Sequence, residues 1–459
     1  MKTLIHHLKR FSIYTLLLGA VGFAGCEDEN RQDMTPEIGE GEVTPKITMY
    51  TPTAGGKSTS LTLYGTHFGT DLDNIRVTVN GVDAEVTGAL GNIITANVQR
   101  GSGSGPVKIY IGQGENIQEL TYKTEFEYSQ SPIVSSYIGS YVPADKTEKK
   151  EGSLMEAVLW KPGSIVFDKE GTLYIVEDED RDIRIAKDNQ VATFLRGDVT
   201  GGVAFRMMNI AFSLDGNTLF LSNDANGSGS AHIATMSWSN DAHQYDTGSL
   251  AAIWSITSSL GNGVTNVGVH PVTGEVFSVA HGNAMIYKYD PEQNTMVTTG
   301  QQLPDADGKN ASKVKIRCIL FDKAGTTVYM SSQERNVIYK GDYDMVTGLF
   351  SNLHIWIGQY GKTGFVEGQG NDARLQEPCQ MDLDEEGNIY VAVRKKHRIA
   401  KITPDGVVTS YTGTGTSGTT DGPLDKAQFN HPEGVQFGPD GALYVSDYWN
   451  HKIRKIEKD

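Results

Sequence analysis

The segment from Pro432 to Ile456 predicts three short antiparallel strands, and this pattern limits the folds that the chain can adopt. Apolar residues alternate with polar ones around Val435 and Leu443, which is typical of half-buried strands. Pro439 supplies a fixed φ and Gly441 a positive φ, as a tight turn between two such strands requires. Three strands cannot bury both of their faces alone, so the unit must recur.

The pattern recurs five times upstream, at intervals of 45 to 62 residues. Each copy has a turn glycine followed by an aliphatic–aromatic pair, and the six pairs are Leu173-Tyr174, Leu219-Phe220, Val276-Phe277, Val328-Tyr329, Ile389-Tyr390 and Leu443-Tyr444. This spacing suits a four-stranded blade of a β-propeller together with its loops. Six copies therefore predict six blades.

The last copy lacks a fourth strand after Ile456, and an earlier segment supplies a candidate for it. Ile133–Gly139, with the sequence IVSSYIG, is similar to Val407–Gly413, VVTSYTG, the predicted fourth strand of the fifth blade. We expect Ile133–Ile138 to pair with Lys452–Ile456 and close the ring. Such closure covers two sheet edges that would otherwise be open.

Residues 1–25 combine a basic start with an apolar run of thirteen residues, Phe11–Phe23. This is typical of a secretory signal and is too short to span a bilayer. The sequence Phe-Ala-Gly-Cys ending at Cys26 resembles the lipobox of bacterial lipoproteins, which implies acylation of Cys26 and attachment to a membrane. The alternative is a chance cysteine after a secretion signal. Glu27-Asp28-Glu29 resembles the export signal of Bacteroidetes surface lipoproteins, so we expect the outer face of the outer membrane.

Charge and cysteine content exclude some classes of function. The formal net charge of −16 disfavours nucleic acid as a partner. Residues 26–45 are acidic and lack an aliphatic run, so we expect a solvated tether. Cys318 and Cys379 have no metal-ligand spacing and are expected to be buried free thiols.

Residues 46–128 predict a separate small all-β unit, with short alternating strands and turns every 8 to 12 residues. Its strand signals include Leu61, Leu63, Val77, Val79, Val107 and Ile109. These residues resemble the IPT/TIG immunoglobulin-like family. The resemblance implies a spacer, with a binding module as the alternative.

Residues 129–459 form the predicted ring. The Gly-x-Leu-Tyr-Val and Asn-His-Lys-Ile-Arg-Lys sequences of the last repeat resemble the NHL family of six-bladed propellers. The expected fold is therefore all-β, an immunoglobulin-like sandwich followed by an NHL-type six-bladed β-propeller closed by an N-terminal strand. Lipobox, IPT/TIG unit and NHL repeats together resemble the glycan-uptake lipoproteins of Bacteroidetes.

One face of the ring is predicted to hold the ligand. The loops from strand four to the next strand one are long, and they share a face with the turns between strands two and three. Aromatic rings beside polar groups on this face suit carbohydrate, since sugar C–H faces stack on rings while hydroxyls form hydrogen bonds. The candidate ligand-binding residues are Trp160, Tyr360, Arg394, Lys395, His397, Phe429, Tyr448, Trp449 and Asn450.

Two alternatives remain open for these candidates. The aromatic residues would otherwise pack the loops down onto the ring. The basic run from Arg394 to Arg398 would suit a uronate or sulfate group, or it is simply a solvated turn.

An enzymatic site receives little support from the sequence. Phe212–Gly216 resembles a turn of six-bladed lactonases, whose metal lies at the mouth of the central tunnel. A metal needs several oxygen or nitrogen ligands from different innermost strands. The residues entering those strands are Gly163, Met208, Thr265, Arg317, Cys379 and Glu433, of which one is a carboxylate, and Arg317 with Glu433 suits an ion pair instead. We predict no metal, cofactor or catalytic residue, although carboxylates paired from separate blades stay possible.

The resulting prediction is a non-catalytic, cell-surface glycan-binding lipoprotein of a polysaccharide-utilisation system. Its expected ligand is a polysaccharide or oligosaccharide, and a glycan importer or surface enzyme is its expected neighbour. Two alternatives are a glycan lyase or hydrolase on a propeller scaffold, and a protein-interaction scaffold at the outer membrane.

Overall fold

A computed structural model describes residues 44–57, 59–129, 131–179, 181–197, 206–224, 232–240, 244–255, 263–305 and 314–458. The regular elements in these ranges are strands and single turns of 3-10 helix, so the fold is all-β as predicted. In the same ranges no helix is long and apolar enough to cross a membrane. The predicted signal segment, Cys26 and nearly all of the acidic tether lie outside the described residues.

Eight strands form the first unit and wrap around an apolar core. Their hydrogen-bonded order is one, three, six, five, four, seven, eight and two in chain order. The core contains Leu61, Leu63, Ile94 and Phe126, all fully buried. The strands are Lys46–Thr51, Ala54–Gly55, Ser60–Gly69, Ile75–Val79, Val82–Ala89, Gly91–Asn97, Gly105–Ile111 and Gln118–Tyr128.

Six antiparallel sheets follow and form the blades of a propeller, which confirms the predicted ring. The strands of blades one to three are Pro162–Phe167, Leu173–Glu177, Asp182–Lys187 and Gln190–Leu195; Met207–Phe212, Thr218–Asn223, Ile233–Ser239 and Ala251–Trp254; Gly268–Val269, Val276–Val279, Met285–Asp290 and Thr295–Gln302. Those of blades four to six are Ile316–Phe321, Thr327–Ser332, Val337–Asp344 and Leu349–Ile357; Pro378–Leu383, Ile389–Val393, Arg398–Ile402 and Val407–Thr412; Pro432–Phe437, Leu443–Asp447, Lys452–Lys458 and Pro132–Ile138.

Shorter elements complete the described part of the chain. Two-residue strands pair with the fourth strands of blades one, five and six at Gly152–Ser153, Gly368–Gln369 and Gly422–Pro423, and with the third strand of blade two at Gln244–Tyr245. Single 3-10 turns occur at Leu72–Asn74, Gly114–Asn116, Lys146–Glu148, Thr247–Ser249, Gly370–Asp372, Arg394–Lys396 and Tyr448–Asn450.

The aromatic residue of the repeated pair packs between neighbouring blades. Tyr444 of blade six is buried and meets Phe167 of blade one edge-on, with 4.9 Å between the ring centroids. Tyr390 of blade five meets Phe437 of blade six in the same way, at 5.2 Å. The repeated pairs therefore form the apolar seams that hold the blades together.

The ring closes as the sequence predicts. Pro132–Ile138 pairs antiparallel with Lys452–Lys458, so that Ile138 lies opposite Ile453 and Val134 lies opposite Ile456. Ile138 is fully buried among residues of blades six and one. The first blade-forming segment and the last one are thus held in one sheet.

The centre of the ring is occupied by side chains where blades five, six and one converge. The amide of Gln380 in blade five reaches blade one, where it accepts from the Ile165 N–H at 3.0 Å and donates to the Ile165 carbonyl at 2.7 Å. Gly434 of blade six permits this approach, because a Cβ there would lie 2.6 Å from the carbonyl oxygen of Gly163. Blades five and one thus make direct contact across the inner edge of blade six.

Replacing Ile138 by Ala should destabilise the whole ring. Loss of a fully buried isoleucine from the closing strand is expected to lower the free energy of unfolding by about 2–5 kcal/mol. The five tryptophans of the chain all lie in the ring, so tryptophan fluorescence in a denaturant titration reports ring unfolding directly. Ile117→Ala is the control, since Ile117 is 51% exposed on the first unit. Equal unfolding midpoints for the two variants would contradict closure by this strand.

Candidate ligand-binding face

The long loops and the turns between strands two and three lie on one face of the ring. In blades five, six and one the start of strand one pairs with the end of strand two. The pairs are Pro378 with Val393, Pro432 with Asp447, and Pro162 with Glu177. The loop entering strand one and the turn leaving strand two therefore emerge together. This confirms the predicted arrangement, and we name this surface the long-loop face.

A repeated hydrogen bond joins consecutive blades on this face. The last residue of the turn between strands two and three accepts from the backbone N–H of the residue before strand one of the next blade. The three donor–acceptor pairs are Glu377 N–H with Asn336 Oδ1 at 2.9 Å, His431 N–H with His397 Nδ1 at 3.2 Å, and Lys161 N–H with His451 Nδ1 at 3.1 Å. All six residues have positive φ. We call this bond the blade latch.

The blade latch is a role that sequence reasoning missed. His397 was predicted to bind ligand, whereas its Nδ1 is engaged by the His431 N–H. The signal in the sequence is the same histidine in the Arg-Lys-Lys-His and Tyr-Trp-Asn-His segments of the last two repeats. Burial and the nearby Lys161 lower the pKa of His451 to about 4, and burial with Arg394 lowers that of His431 to about 4. His451 therefore stays neutral at neutral pH and keeps the lone pair that the latch needs.

Two tryptophans that the sequence predicted as ligand contacts, Trp160 and Trp449, both lie close to the Lys161 ammonium group where blade six joins blade one. Trp449 is 39% exposed, and the Lys161 ammonium nitrogen lies 4.0 Å from the centroid of its ring system. Trp160 lies against His451, with 4.5 Å between ring centroids. Glu179 pairs with Lys161 at 2.5 Å and fixes the ammonium group. We call Trp160, Lys161, Trp449 and His451 the aromatic platform.

Three other candidates are buried in the ring. Phe429 is fully buried in the core between blades five and six. Tyr448 packs beside Arg394, whose guanidinium carbon is 5.3 Å from the ring centroid. Asn450 donates to the Gly418 carbonyl at 2.6 Å and to Asp447 Oδ2 at 2.7 Å. Burial leaves these side chains almost no surface for a ligand, and they pack the loops onto the ring instead.

The basic run is largely used inside the protein. Arg394 donates to Glu433 at 2.5 Å and to Glu377 at 2.9 Å, and Glu433 also binds Arg317 at 2.6 Å. Lys395 binds the other oxygen of Glu377 at 3.0 Å and remains 47% exposed. Burial opposes ionisation of Glu377, but the bonds from Lys395 and Arg394 lower its pKa. We name these five residues, in the order Arg317, Glu433, Arg394, Glu377 and Lys395, the ion-pair chain.

A cavity of about 490 Å³ opens on the long-loop face beside Lys395. It lies among the turns of blades three, four and five and the loop that enters blade five. Its lining residues are all of polar or charged type: His281, Lys315, Gln333, Glu334, Asn336, Thr363, Gln376, Glu377 and Lys395. We call it the polar cavity.

Two further cavities lie away from the aromatic platform and the polar cavity. Tyr360, 49% exposed, borders a cavity of about 540 Å³ at the edge of blade four, and its ring covers Arg335. A larger cavity of about 740 Å³ lies between the short turns of blades five and six, on the opposite face, and Asp384, Glu385 and Asp440 line it. The structure thus brings Trp160 and Trp449 together and separates Tyr360 from them.

The described residues contain no group of three or more His, Cys, Asp or Glu side chains that would hold a metal ion. Cys318 and Cys379 are buried free thiols as predicted, and burial raises the pKa of each to about 12. At neutral pH both are therefore protonated and poor nucleophiles.

Variants of His451 test the blade latch. Gly adopts positive φ easily but has no acceptor, whereas Asn keeps an acceptor, as Asn336 does in blade four. We expect His451→Gly to lower the free energy of unfolding by about 1–3 kcal/mol, because the buried Lys161 N–H loses its partner, and His451→Asn to lower it less. Equal losses in denaturant titrations of the two variants would contradict the latch.

The same variants carry a pH test. The pKa of His451 lies below its ordinary value of 6.5, so its contribution to stability is complete above pH 6.5 and is lost as the pH falls towards 4. The free energy of unfolding should therefore change less between pH 6.5 and 4 in His451→Asn than in the parent protein.

Family comparisons match two parts of the chain. Residues 45–128 match the IPT/TIG domain, and residues 429–456 match the NHL repeat. SUPPRESSOR OF QUENCHING 1 of Arabidopsis thaliana is 34% identical over 97 residues, which are 21% of this chain and 9% of that protein. NHL repeat-containing protein 2 of Bos taurus is 36% identical over 98 residues, 20% of this chain and 14% of that protein. The chain thus spans only about a tenth of the length of these curated relatives.

Solved structures match nearly the whole chain. An auxiliary nutrient binding protein of Bacteroides thetaiotaomicron is 24% identical with a TM-score of 0.73, covering 91% of this chain and 98% of that one. One of Bacteroides ovatus is 23% identical with a TM-score of 0.69, covering 91% and 99%. A B. thetaiotaomicron protein described provisionally as a phosphatase is 22% identical with a TM-score of 0.70, covering 90% and 97%. The chain therefore carries an IPT/TIG domain followed by a six-bladed β-propeller whose last blade contains an NHL repeat.

Proposed function

We propose that this protein is a non-catalytic binding protein that holds a polysaccharide or oligosaccharide on its long-loop face. The observation that carries the proposal is the exposed ring of Trp449, held on a fixed base at the junction of blades six and one. The C–H faces of a sugar ring stack on such a surface, and neighbouring polar side chains bond its hydroxyl groups.

The base of the aromatic platform is ordered before any ligand arrives. The Trp449 backbone N–H donates to the Asn430 carbonyl at 3.0 Å, and the blade latch fixes Lys161 beneath the ring. A ring that is already held loses little conformational entropy when a sugar binds to it. This favours a role in capture of ligand over a role as a surface loop.

The solved relatives agree with this class of function. Two Bacteroides proteins with the same fold over nearly the whole chain are described as auxiliary nutrient binding proteins. A nutrient that is a glycan would present the hydroxyl groups and apolar ring faces that the platform and the polar cavity suit. We infer that this chain serves a polysaccharide-utilisation system.

We further propose attachment to the outer membrane through a lipid on Cys26, with exposure at the cell surface. The acidic segment after Cys26 would separate the folded part from the lipid. The IPT/TIG domain would extend that separation as a spacer. A glycan importer or a surface enzyme is the expected recipient of the captured glycan.

Removing the exposed ring should weaken binding. We expect Trp449→Ala to raise the dissociation constant for the bound polysaccharide about tenfold or more in affinity electrophoresis, since buried interface aromatics contribute over 1 kcal/mol. Leu214→Ala is the matched control, because Leu214 is 55% exposed on the opposite face. Unchanged retardation of Trp449→Ala would place the site elsewhere, and shortening of the polymer would identify a lyase or hydrolase.

Attachment is tested by Cys26→Ser. The parent protein should sediment with membranes and be released from intact cells by external protease. The Cys26→Ser protein should lack the lipid and remain in the soluble fraction. Full protection of the parent protein from protease in intact cells would contradict exposure at the surface.

A further inference from the structure

The polar cavity has the charge pattern of a site for an acidic group. The ion-pair chain alternates cation and carboxylate, beginning with Arg317 and ending with Lys395, so that both of its ends are cations. Coulombic attraction links the Arg317 end to Asp178. The Lys395 end opens into the polar cavity.

The carboxylates near the cavity are already engaged. Glu377 accepts from Arg394 and Lys395, and from the amide of Gln333 at 3.4 Å. Lys315, which also lines the cavity, lies 3.5 Å from Asp224, and Arg206 shares that carboxylate at 3.6 Å. The ammonium groups of Lys315 and Lys395 thus face the cavity. Each is paired with a carboxylate that also binds a second cation.

The remaining charged groups of the cavity form a separate pair. Glu334 faces His281, with 3.2 Å between oxygen and nitrogen, and its side chain is mostly exposed to water. Water screens an exposed carboxylate far more than the half-buried Lys315. Glu334 therefore cancels little of the attraction that the two lysines exert on an anion inside the cavity.

Amide groups beside the lysines suit hydroxyls. The Asn336 Oδ1 holds the blade latch, and the Gln376 Oε1 accepts from the Gly364 N–H at 3.2 Å, so both amides are fixed in orientation. Each amide –NH₂ group is a donor for a sugar hydroxyl or carboxylate. The volume of about 490 Å³ is within the range of small-molecule sites.

We infer that the polar cavity binds a uronic-acid residue of the glycan, with Lys315 and Lys395 on its carboxylate and the amides of Gln333, Asn336 and Gln376 on its hydroxyls. This inference rests on the proposed function and names the class of its ligand. The net charge of −16 repels densely sulfated polymers at long range, so a glycan with spaced uronates fits better.

Matched polymers and variants test the inference. Polygalacturonate and its fully methyl-esterified form have the same backbone and differ in charge; alginate and glucuronoxylan extend the set of uronate polymers. We expect retardation of the parent protein by at least one acidic polymer. Where that polymer is polygalacturonate, the methyl ester should bind about tenfold or more weakly, as expected for loss of charge-assisted bonds.

The double variant Lys315→Gln with Lys395→Gln should lose that preference for the charged polymer. Lys323→Gln is the control, since Lys323 is an exposed lysine on the opposite face that pairs with Glu385. Tryptophan fluorescence in denaturant establishes that each variant is folded.

The outcomes separate this inference from the proposed function. Equal binding of polygalacturonate and its methyl ester, or retention of the preference by the double variant, would overturn the uronate site while leaving a glycan-binding face in place. Retardation by neutral glycans alone would also overturn the uronate site and leave the glycan-binding face in place. Failure of all three acidic polymers and of neutral glycans would overturn both.

Discussion

The pairing of Pro132–Ile138 with Lys452–Lys458 is the interaction on which the rest of the ring depends. It joins a segment that precedes blade one to the third strand of blade six. The aromatic platform lies at the junction of blades six and one, which ring closure makes neighbours, because Trp449 and His451 come from blade six while Trp160 and Lys161 enter blade one. Without closure the two tryptophans would belong to opposite ends of an open array. The candidate glycan surface is therefore a product of ring closure, and not of either blade alone.

Polar groups set the geometry of the long-loop face, and their burial has a cost. The N–H groups of Glu377, His431 and Lys161 would be unsatisfied without the blade latch. Removing Glu433 from water is unfavourable, and two arginines offset that cost. Such groups accept few alternative arrangements, so they hold loops of neighbouring blades in register. We regard this register as the reason why an exposed ring and a polar cavity can share a face.

The sequence predicted the architecture well because its signals are local and repeated. Turn glycines and aliphatic–aromatic pairs recur in every blade, and the similarity of Ile133–Gly139 to Val407–Gly413 identified the closing strand. The burial of individual loop residues was harder to predict from the sequence. Tyr448 and Trp449 are neighbours in a single 3-10 turn, yet the first points into the ring and the second is exposed. The two side chains point in different directions because of the geometry of the turn, and residue composition does not predict that geometry.

Charge was the feature that single-segment reasoning described least well. The run from Arg394 to Arg398 reads as an exposed basic tip, but Glu377 and Glu433, which neutralise Arg394, belong to other segments. Within the run, Arg394 therefore holds blades together, whereas Lys395 remains at the surface. The ion-pair chain ends in a cation, Lys395, at the polar cavity. The site proposed for the polar cavity would attract a single carboxylate at short range, while the net negative charge of the whole protein repels dense polyanions.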